Sequence, residues 1–218
     1  MSELCSRLHY LLHELPVLGF PLDMDLIPCN GIYVMFETGE MGHGTDRIVR
    51  VGAHTGANQL QSRIQQHFVN ANKDRSIFRK HIGRALLTRD GDPFLHDWEL
   101  DLTTRQARER YSGVVDFEKQ RQVEKRVTEY LQANLRFVCL GVDDKHARLK
   151  CESKIIATVS WCDECRPSAD WLGLQSPKAK IRESGLWIVN ELYKEPLTGG
   201  EFGDLRQMVE EETRALHR

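Results

Sequence analysis

Apolar and polar positions in the first quarter of the chain predict two strands joined by a turn. Residues 31–36 form an unbroken apolar run rich in β-favouring side chains, which is typical of a buried strand. Glycines follow, so the chain can turn, and residues 47–52 then alternate charged and aliphatic side chains. Because the connection is short, we predict an antiparallel pair with Ile48 against the core and with Arg47 and Arg50 at a rim or a site.

A helix is predicted after the second strand, over residues 60–68. Turn-forming and helix-capping residues precede it. Its apolar stripe consists of residues one turn apart: Leu60, Ile64 and Phe68. Arg63 and His67 lie one turn apart at the edge of that stripe, so both side chains are predicted to point across the start of the sheet toward Tyr33.

Helical spacing recurs through the rest of the chain, interrupted by one more apolar strand at residues 136–142. The predicted helices cover residues 4–15, 76–87, 104–111, 117–135, 149–159, 181–192 and 202–216. This pattern predicts an α/β (α+β) fold, with a small, mainly antiparallel sheet of three strands flanked by helices.

Glu152 is unusual because it shares the apolar face of the helix predicted at residues 149–159. The aliphatic residues on that face are Leu149, Ile155, Ile156 and Val159. Burying an ionised carboxylate costs several kcal/mol unless it is paired or coordinates a metal. The position therefore predicts either a metal ligand or a buried salt bridge, with Arg63 as the candidate partner.

These strands and helices together resemble the core of the GIY-YIG nuclease superfamily, whose members cut phosphodiester bonds using a metal ion. The resemblance rests on the order of a Gly-Ile-Tyr strand at residues 31–33, a strand ending in Val-Gly at 51–52, and a helix carrying Arg63 and His67. The spacing of four between the arginine and the histidine is most similar to the restriction-endonuclease members. Residues 152–156 match the Glu-x-x-aliphatic-aliphatic pattern in which the superfamily carries its metal-binding glutamate.

Two residues depart from the superfamily pattern. Arg50 stands where the family has its second tyrosine, and Asp170 stands where an asparagine is expected after Pro167. An ionised carboxylate accepts hydrogen bonds but donates none, so the role of an amide does not transfer to Asp170.

The resemblance implies a role for each member of the site. Glu152 is the expected ligand of a divalent cation, Mg²⁺ or Mn²⁺. Tyr33 is expected to act as the general base or to position water, and His67 to shuttle a proton or orient Tyr33. Arg63 is expected to donate two hydrogen bonds to phosphate oxygens, and Arg50 to contact phosphate in place of the missing tyrosine.

A basic cluster between residues 73 and 89 adds a candidate substrate-binding surface. Arg79, Lys80 and Arg84 lie on the helix predicted at residues 76–87. Its inward residues are predicted to be Ile77, Ile82 and Leu86. Two interpretations stay open, a surface that contacts phosphates and an ordinary solvated helix face.

Composition sets bounds on the function without naming one. The 218 residues, 40% hydrophobic and 28% charged, are ordinary for a folded protein with one core. The net charge of -2 lacks the basic excess that a phosphate-tracking surface usually brings. No apolar run reaches membrane-spanning length and residues 1–5 lack a signal-peptide pattern. We therefore expect a cytoplasmic location, no membrane contact and six reduced cysteines.

The cysteines raise zinc as an alternative. Cys162 and Cys165 form a CxxC pair, which can be half of a zinc site. Four ligands are needed and no second CxxC or HxxxH follows, so structural zinc is the less favoured interpretation. The remaining cysteines lie in apolar contexts typical of core residues: Cys5, Cys29, Cys139 and Cys151.

The whole pattern predicts a single nuclease domain over residues 1–218. Its parts are an N-terminal arm (1–29), a catalytic core (30–68 and 136–175), a helical insertion (73–135) and a C-terminal helical extension (176–218). The expected activity is metal-dependent endonucleolytic hydrolysis of nucleic acid, with double-stranded DNA as the expected partner. The alternatives are a catalytically silent nucleic-acid-binding or regulatory module and a structural zinc protein without nuclease activity. A homodimer contact through the C-terminal helices is left open.

Overall fold

The computed structural model describes residues 2–216, in which helices cover both faces of a three-stranded sheet. The strands are β1 (Gly31–Gly42), β2 (Thr45–Gly52) and β3 (Leu135–Gly141). β1 lies in the centre and pairs antiparallel with both neighbours, in the order β2-β1-β3. The predicted α/β (α+β) class with a small antiparallel sheet is therefore confirmed. Residues 217 and 218 of the predicted C-terminal extension lie outside the described part.

Helices account for much of the remaining described chain. They are α1 (Ser2–Leu12), α2 (Leu60–Phe68), α3 (Ile77–Arg89), α4 (Leu95–Trp98), α5 (Arg105–Arg110), α6 (Phe117–Asn134), α7 (Lys145–Ser160), α8 (Ala179–Ser184) and α9 (Gly199–Leu216). The predicted helix at residues 181–192 is wrong beyond Ser184, because Gly185 adopts a left-handed φ of 71° that ends α8. Within residues 2–216, no helix is both long and apolar enough to cross a membrane.

Side chains along β1 point alternately to the two faces of the sheet, and both faces are buried. The face of Tyr33 and Met35 packs against α2, α3 and α6, and we call it the α3 face. The opposite face, with Ile32, Val34 and Phe36, packs against α1, α7 and α9, and we call it the α7 face. Coverage on both faces explains why the sequence of β1 is an unbroken apolar run instead of an alternating one.

β2 is more buried than its alternating sequence predicts. The Arg47 guanidinium is fully buried and donates to Glu40 Oε2 at 3.0 and 2.6 Å and to the Gly185 carbonyl at 2.5 Å. The prediction of a rim position for Arg47 is therefore wrong. Arg50 is buried as well, on the α3 face.

Each outer edge of the sheet is contacted by a segment from elsewhere in the chain. Leu18 makes two backbone hydrogen bonds with Phe137 of β3, at 2.7 and 2.9 Å. On the other edge, the Trp187 N–H donates to the Val49 carbonyl of β2 at 2.7 Å. The neighbours of β1 therefore each have outward backbone groups engaged at one point along their length.

α3 runs through the core and is not a surface helix. Arg79 is fully buried, with Nε and Nη2 on the Glu124 carboxylate at 3.0 and 2.7 Å and Nη1 on the His67 carbonyl at 2.9 Å. The predicted phosphate contact at Arg79 is therefore wrong, and so is the alternative of a solvated helix face. Ile77, which was predicted to face inward, is exposed.

The other two basic residues of the predicted surface are also held within the chain. Arg84 donates from Nε and Nη2 to the Glu99 carboxylate at 2.5 and 2.6 Å, and its side chain is 7% exposed. Lys80 Nζ donates to the Glu99 carbonyl at 2.8 Å and lies 3.6 Å from the Asp74 carboxylate. Arg84 and Lys80 therefore tie α3 to its neighbours, which corrects their assignment as phosphate contacts.

Candidate active site

Tyr33 and His67 meet on the α3 face, one from the central strand and one from α2. The apolar stripe of α2 packs onto the sheet and brings His67, at the edge of that stripe, over the strand. Tyr33 Oη lies 2.8 Å from His67 Nε2, and both side chains are buried. The predicted approach of His67 to Tyr33 is confirmed.

His67 extends this contact to Ser76, the residue that caps α3. His67 Nδ1 lies 2.8 Å from Ser76 Oγ, which also accepts the Arg79 N–H at 3.2 Å. Arg50 Nε donates to Tyr33 Oη at 3.3 Å, which leaves the hydroxyl proton of Tyr33 for His67 Nε2. We therefore assign the tautomer in which the imidazole proton is on Nδ1 and is donated to Ser76.

The environment of His67 keeps its imidazole neutral. Burial lowers the pKa of His67 well below its usual value, and the charges of Arg50 and Arg63 act in the same direction. A neutral ring with an unprotonated Nε2 can accept the proton of the Tyr33 hydroxyl. Nε2 is therefore available as the acceptor for the Tyr33 hydroxyl.

Arg50 lies at the site and not at a rim. It is 4% exposed, its guanidinium lies 4.6 Å from the centre of the Phe78 ring, and Nη1 donates to the Trp187 carbonyl at 2.5 Å. Together with its contact to Tyr33, this geometry places a desolvated positive charge beside the tyrosine hydroxyl. An arginine here supplies charge where a tyrosine would supply a second hydroxyl.

The backbone of β2 approaches Tyr33 so closely that residue 52 has to be a glycine. Tyr33 and Gly52 are paired directly across β1 and β2, and a Cβ at residue 52 would lie 2.2 Å from Tyr33 Oη. A contact that short requires the ring to move. The tyrosine of one strand and the terminal glycine of the next are therefore two parts of one packing arrangement.

Glu152 reaches the same end of β2 from α7. Its Oε1 accepts the N–H of Ala53 at 3.1 Å, one residue after β2 ends. Burial raises the pKa of the Glu152 carboxyl, and the charge of Arg50 partly offsets that shift. Among residues 2–216 no ion pair joins Glu152 to Arg63, so the predicted alternative of a buried salt bridge is wrong.

The surroundings of Glu152 fit a ligand of a hard divalent cation. Its Oε2 accepts no hydrogen bond from the described residues, and carboxylate oxygens are the ligands that Mg²⁺ prefers. A cation would also offset the cost of a partly buried carboxylate. Glu152 is therefore the residue of this site that could hold Mg²⁺ or Mn²⁺.

Arg63 lies at a cavity that opens beside Ala53. The cavity has a volume of about 490 Å³ and is lined by the turn after β2, by α2 and by Arg75. Arg63 Nη1 donates to Gln66 Oε1 at 3.1 Å and to the Arg75 carbonyl at 3.2 Å, and its other N–H groups have no partner in the described part of the chain. The sequence predicted that Arg63 points toward Tyr33, and the structure instead places it at the cavity. Its free N–H groups are available to an anion there.

Asp170 lies away from this group. It is exposed and lines a separate cavity of about 590 Å³, together with Glu37 and Glu40 from the distal half of β1. The residue in the expected asparagine position is therefore not brought to Tyr33 and Glu152.

Three supporting residues escaped the sequence interpretation. Ser76 accepts a hydrogen bond from His67, and Glu124 neutralises the charge of Arg79. Arg148 of α7 donates to the His54 and Val142 carbonyls at 3.0 and 2.8 Å, which fixes the turn after β2. Glu124 did carry a signal, because it shares an apolar stripe with the residues at 127 and 131, as Glu152 shares one in α7. Nothing local in the sequence indicated the partners of the other two.

Comparison with known proteins supports the family on independent grounds. A family model described as "GIY-YIG domain" matches residues 13–215, which is nearly the whole chain. No curated protein and no solved structure matches the chain. The matched range includes every residue of the site described above and supports a nuclease-type function on nucleic acid. The chain therefore belongs to the GIY-YIG nuclease superfamily.

Proposed function

We propose that this protein is a divalent-metal-dependent endonuclease that hydrolyses phosphodiester bonds in double-stranded DNA. The observation that carries the proposal is the hydrogen-bonded series from Arg50 through Tyr33 and His67 to Ser76, next to Glu152, whose Oε2 accepts no hydrogen bond from the described residues. The series is buried, oriented and specific in its donors and acceptors. A core that served packing alone would not need four polar groups in that order.

Tyr33 and His67 are the proposed route for the proton of the attacking water. The Tyr33 oxygen takes a proton from water while its own hydroxyl proton passes to His67 Nε2 over the 2.8 Å contact. Arg50 stabilises the negative charge that develops on the Tyr33 oxygen during this transfer. Ser76 holds the imidazole so that Nε2 remains the acceptor.

Arg63 is the proposed contact for the phosphate group. Its free N–H groups face the cavity beside Ala53, where an exposed Arg75 adds positive charge and the Asp74 carboxylate is paired with Lys73 Nζ at 2.9 Å. Hydrogen bonds from a guanidinium to phosphate oxygens strengthen as charge builds up in the transition state. Glu152 would hold Mg²⁺ or Mn²⁺ at the same end of the sheet, and the cation when bound supplies charge stabilisation for the phosphate and its leaving oxygen.

We also propose that residues 1–218 act as one nuclease domain. The segment at residues 73–135, predicted as an insertion, includes Ser76 and Arg79, which support His67 from α3. Its removal would expose His67, so this segment belongs to the catalytic unit in the proposed arrangement.

The test is cleavage of supercoiled plasmid with Mg²⁺ or Mn²⁺ by the purified chain, with a chelator as the blank. Tyr33→Phe removes only the hydroxyl and is expected to slow cleavage by roughly 10²- to 10⁴-fold while DNA binding is retained. Tyr10→Phe is the matched control, because Tyr10 is 55% exposed on α1. Cleavage that survives the chelator, or a Tyr33→Phe variant that cuts at the parental rate, would refute the proposal.

A second candidate function is a catalytically silent nucleic-acid-binding module. The observation that favours it is Arg50, whose N–H groups are used on Tyr33 and Trp187 in place of a second tyrosine hydroxyl. This alternative predicts gel shifts with DNA but no nicking with either metal. The same plasmid assay therefore separates the two functions.

A further inference from the structure

A buried group of cysteines and histidines lies at the opposite end of β2 from Glu152. Cys5 comes from α1, His43 from the turn between β1 and β2, and Cys162 and Cys165 from the segment after α7. The three sulfurs belong to residues that are 0%, 4% and 2% exposed, in that order, and the side chain of His43 is 2% exposed. Segments that are distant in the sequence therefore meet at one buried site.

The spacing of the donor atoms matches the edges of a small coordination polyhedron. The ligand atoms of Cys5, His9, His43 and Cys165 all lie within 4.8 Å of one another. The Cys5 and Cys165 sulfurs are 3.5 Å apart, and His43 Nε2 lies 3.3 Å from the Cys162 sulfur. Around a tetrahedral zinc ion, two sulfurs are about 3.8 Å apart and a sulfur and a nitrogen about 3.6 Å.

Glu164 supports His43 as a ligand. Its carboxylate lies 3.2 Å from His43 Nδ1, so Nδ1–H donates to Glu164 and the lone pair of Nε2 is directed at the cysteines. A carboxylate on the far nitrogen of a metal-bound histidine is the usual supporting contact in zinc sites. The turn from Cys162 to Cys165 is closed by a backbone hydrogen bond of 3.4 Å, which places both sulfurs on the same side.

His9 has backbone partners on both ring nitrogens. Nδ1 donates to the Cys5 carbonyl at 2.9 Å, and Nε2 accepts the Ile48 N–H at 3.3 Å. This places His9 beside the ligands and leaves Cys162 as the fourth one.

We propose that Cys5, His43, Cys162 and Cys165 bind a structural zinc ion. Three thiolates and one imidazole in a closed, buried tetrahedral set are typical of structural zinc and unsuited to Mg²⁺, which needs oxygen ligands. The three thiols release their protons to solvent when the ion binds. The proposed zinc site is separate from the proposed cation site at Glu152, so the zinc proposal can be tested independently of the nuclease activity.

The ion would join three segments that lie far apart in the sequence. It ties the N-terminal helix α1 and the β1–β2 turn to the end of α7, which is the helix that carries Glu152. Metal binding of this kind contributes directly to folding stability, because the site does not exist in the unfolded chain. We therefore expect zinc to stabilise the packing of the α7 face.

The first measurement is the metal content of the full-length protein after expression with zinc and dialysis. Zinc is expected in a ratio of about one per chain, and a strong chelator is expected to lower the Tm by roughly 10 °C or more. Replacing zinc with Co²⁺ adds a spectrum in which thiolate-to-cobalt absorption reports sulfur ligation. Protein that is folded, metal-free and unaffected in Tm by added zinc would overturn the proposal.

Variants then identify the ligands. Cys165→Ser and Cys162→Ser are each expected to lose the stoichiometric zinc, whereas His9→Gln keeps it. Cys29→Ser is the matched control, because Cys29 is exposed and outside the group. Where a variant does not fold, the Co²⁺ spectrum of the parent protein still tests the thiolates. Zinc kept by Cys162→Ser and lost by His9→Gln would overturn the ligand set, and a Cys5–Cys165 disulfide found by mass spectrometry without reduction would overturn the site.

Discussion

The two ends of β2 hold polar groups of opposite character. Near its last residue, Arg50 donates to Tyr33 and Glu152 accepts the N–H of Ala53, which lines a cavity that opens to solvent. Before its first residue, the cysteine group is closed and buried, with sulfur as its main donor. The eight residues of β2, roughly 25 Å of strand, separate them. We call them the open site and the cysteine site.

The helix α7 extends from one of these sites to the other. α7 carries Glu152 at the open site, and the chain reaches Cys162 at the cysteine site two residues after α7 ends. Glu152 is only partly buried, which would let a cation bound there exchange with substrate and water. A closed group at the far end of the helix can hold α7 in place without interfering with that exchange.

The largest expected effect separates the two sites through Glu152. Glu152→Gln removes the charge that binds the cation but keeps the size of the side chain, so metal-dependent cleavage should fall by roughly 10³-fold or more. Tm without Mg²⁺ should stay the same or rise, because a desolvated carboxylate is lost, and DNA binding and zinc content should persist. Cleavage assays, thermal melts and metal analysis on one preparation check this.

Cys165→Ser is the complementary variant. It is expected to lose zinc and to have a lower Tm, while its folded fraction still binds Mg²⁺. Glu129→Gln, at an exposed position on α6, is the control for the substitution itself. A Glu152→Gln protein that is destabilised yet fully active would end the assignment of Glu152 as the metal ligand.

The second prediction tests whether the charge of Arg79, near the open site, stabilises the fold instead of binding phosphate. Arg79→Met leaves the Glu124 carboxylate buried without its partner, which should lower the free energy of unfolding by about 3–5 kcal/mol. Arg105→Met, at an 87% exposed position, should change it by less than about 1 kcal/mol. Urea unfolding measures both.

Cleavage per folded molecule should fall far less in Arg79→Met than in Tyr33→Phe, because the Arg79 side chain contacts the open site only through the backbone carbonyl of His67. If instead stability is kept and the salt dependence of DNA binding becomes shallower, Arg79 contacts phosphate after all.

The third prediction tests the departure from the family pattern at Arg50. Because Arg50 donates to Tyr33 Oη, Arg50→Ala should reduce turnover by roughly 10²-fold with little change in KM. Rates must be scaled to the folded fraction, since the variant also leaves the Trp187 carbonyl without a donor. Arg105→Ala serves as the surface control. An unchanged turnover would reduce Arg50 to a packing residue.

The smallest effect is a pH dependence of stability on the α3 face. Burial, with Arg84 alongside, lowers the pKa of His81 to about 3, so the unfolded chain binds a proton below pH 6.5 and the folded chain does not. Stability therefore falls as pH drops through 6.5, by about 1 kcal/mol from this residue between pH 7 and 5.5. His81→Asn should lose that part of the dependence, as measured by urea unfolding at both pH values.

His96→Asn is the matched control, because the His96 side chain is 84% exposed. His67 adds a loss of the same sign, since its pKa is also lowered by burial. A parental protein equally stable at both pH values would contradict the buried, neutral state of both histidines.

The strands, the sheet and the helix α2 were predictable because their signals are local. Leu60, Ile64 and Phe68 repeat with the helical period, and all three are buried as expected. The same locality made the contact of His67 with Tyr33 predictable. Gly185 shows the limit, because its left-handed conformation ends a helix whose hydrophobic spacing continues.

The cysteine site and the environment of α3 could not be predicted from local patterns. Cys5 and Cys165 are separated by 160 positions, and no spacing rule links a helix near the start to a turn after α7. The basic residues of α3 were assigned to the surface because charge normally implies solvent. Glu124, which neutralises Arg79, lies 45 positions away and is brought there only by the packing of α6.

The contacts at the sheet edges have a consequence for self-association. In a sheet of three strands, two of the strands are edge strands. The free edge of such a strand is a template to which other chains can add, which leads to aggregation. Leu18 is hydrogen-bonded to Phe137 of β3, and Trp187 is hydrogen-bonded to Val49 of β2, at points where a strand from another chain would pair. A second copy would have to displace these segments before adding a strand. The chain's own segments therefore protect one point of each outer strand, and strand addition at Phe137 or Val49 would compete with Leu18 or Trp187.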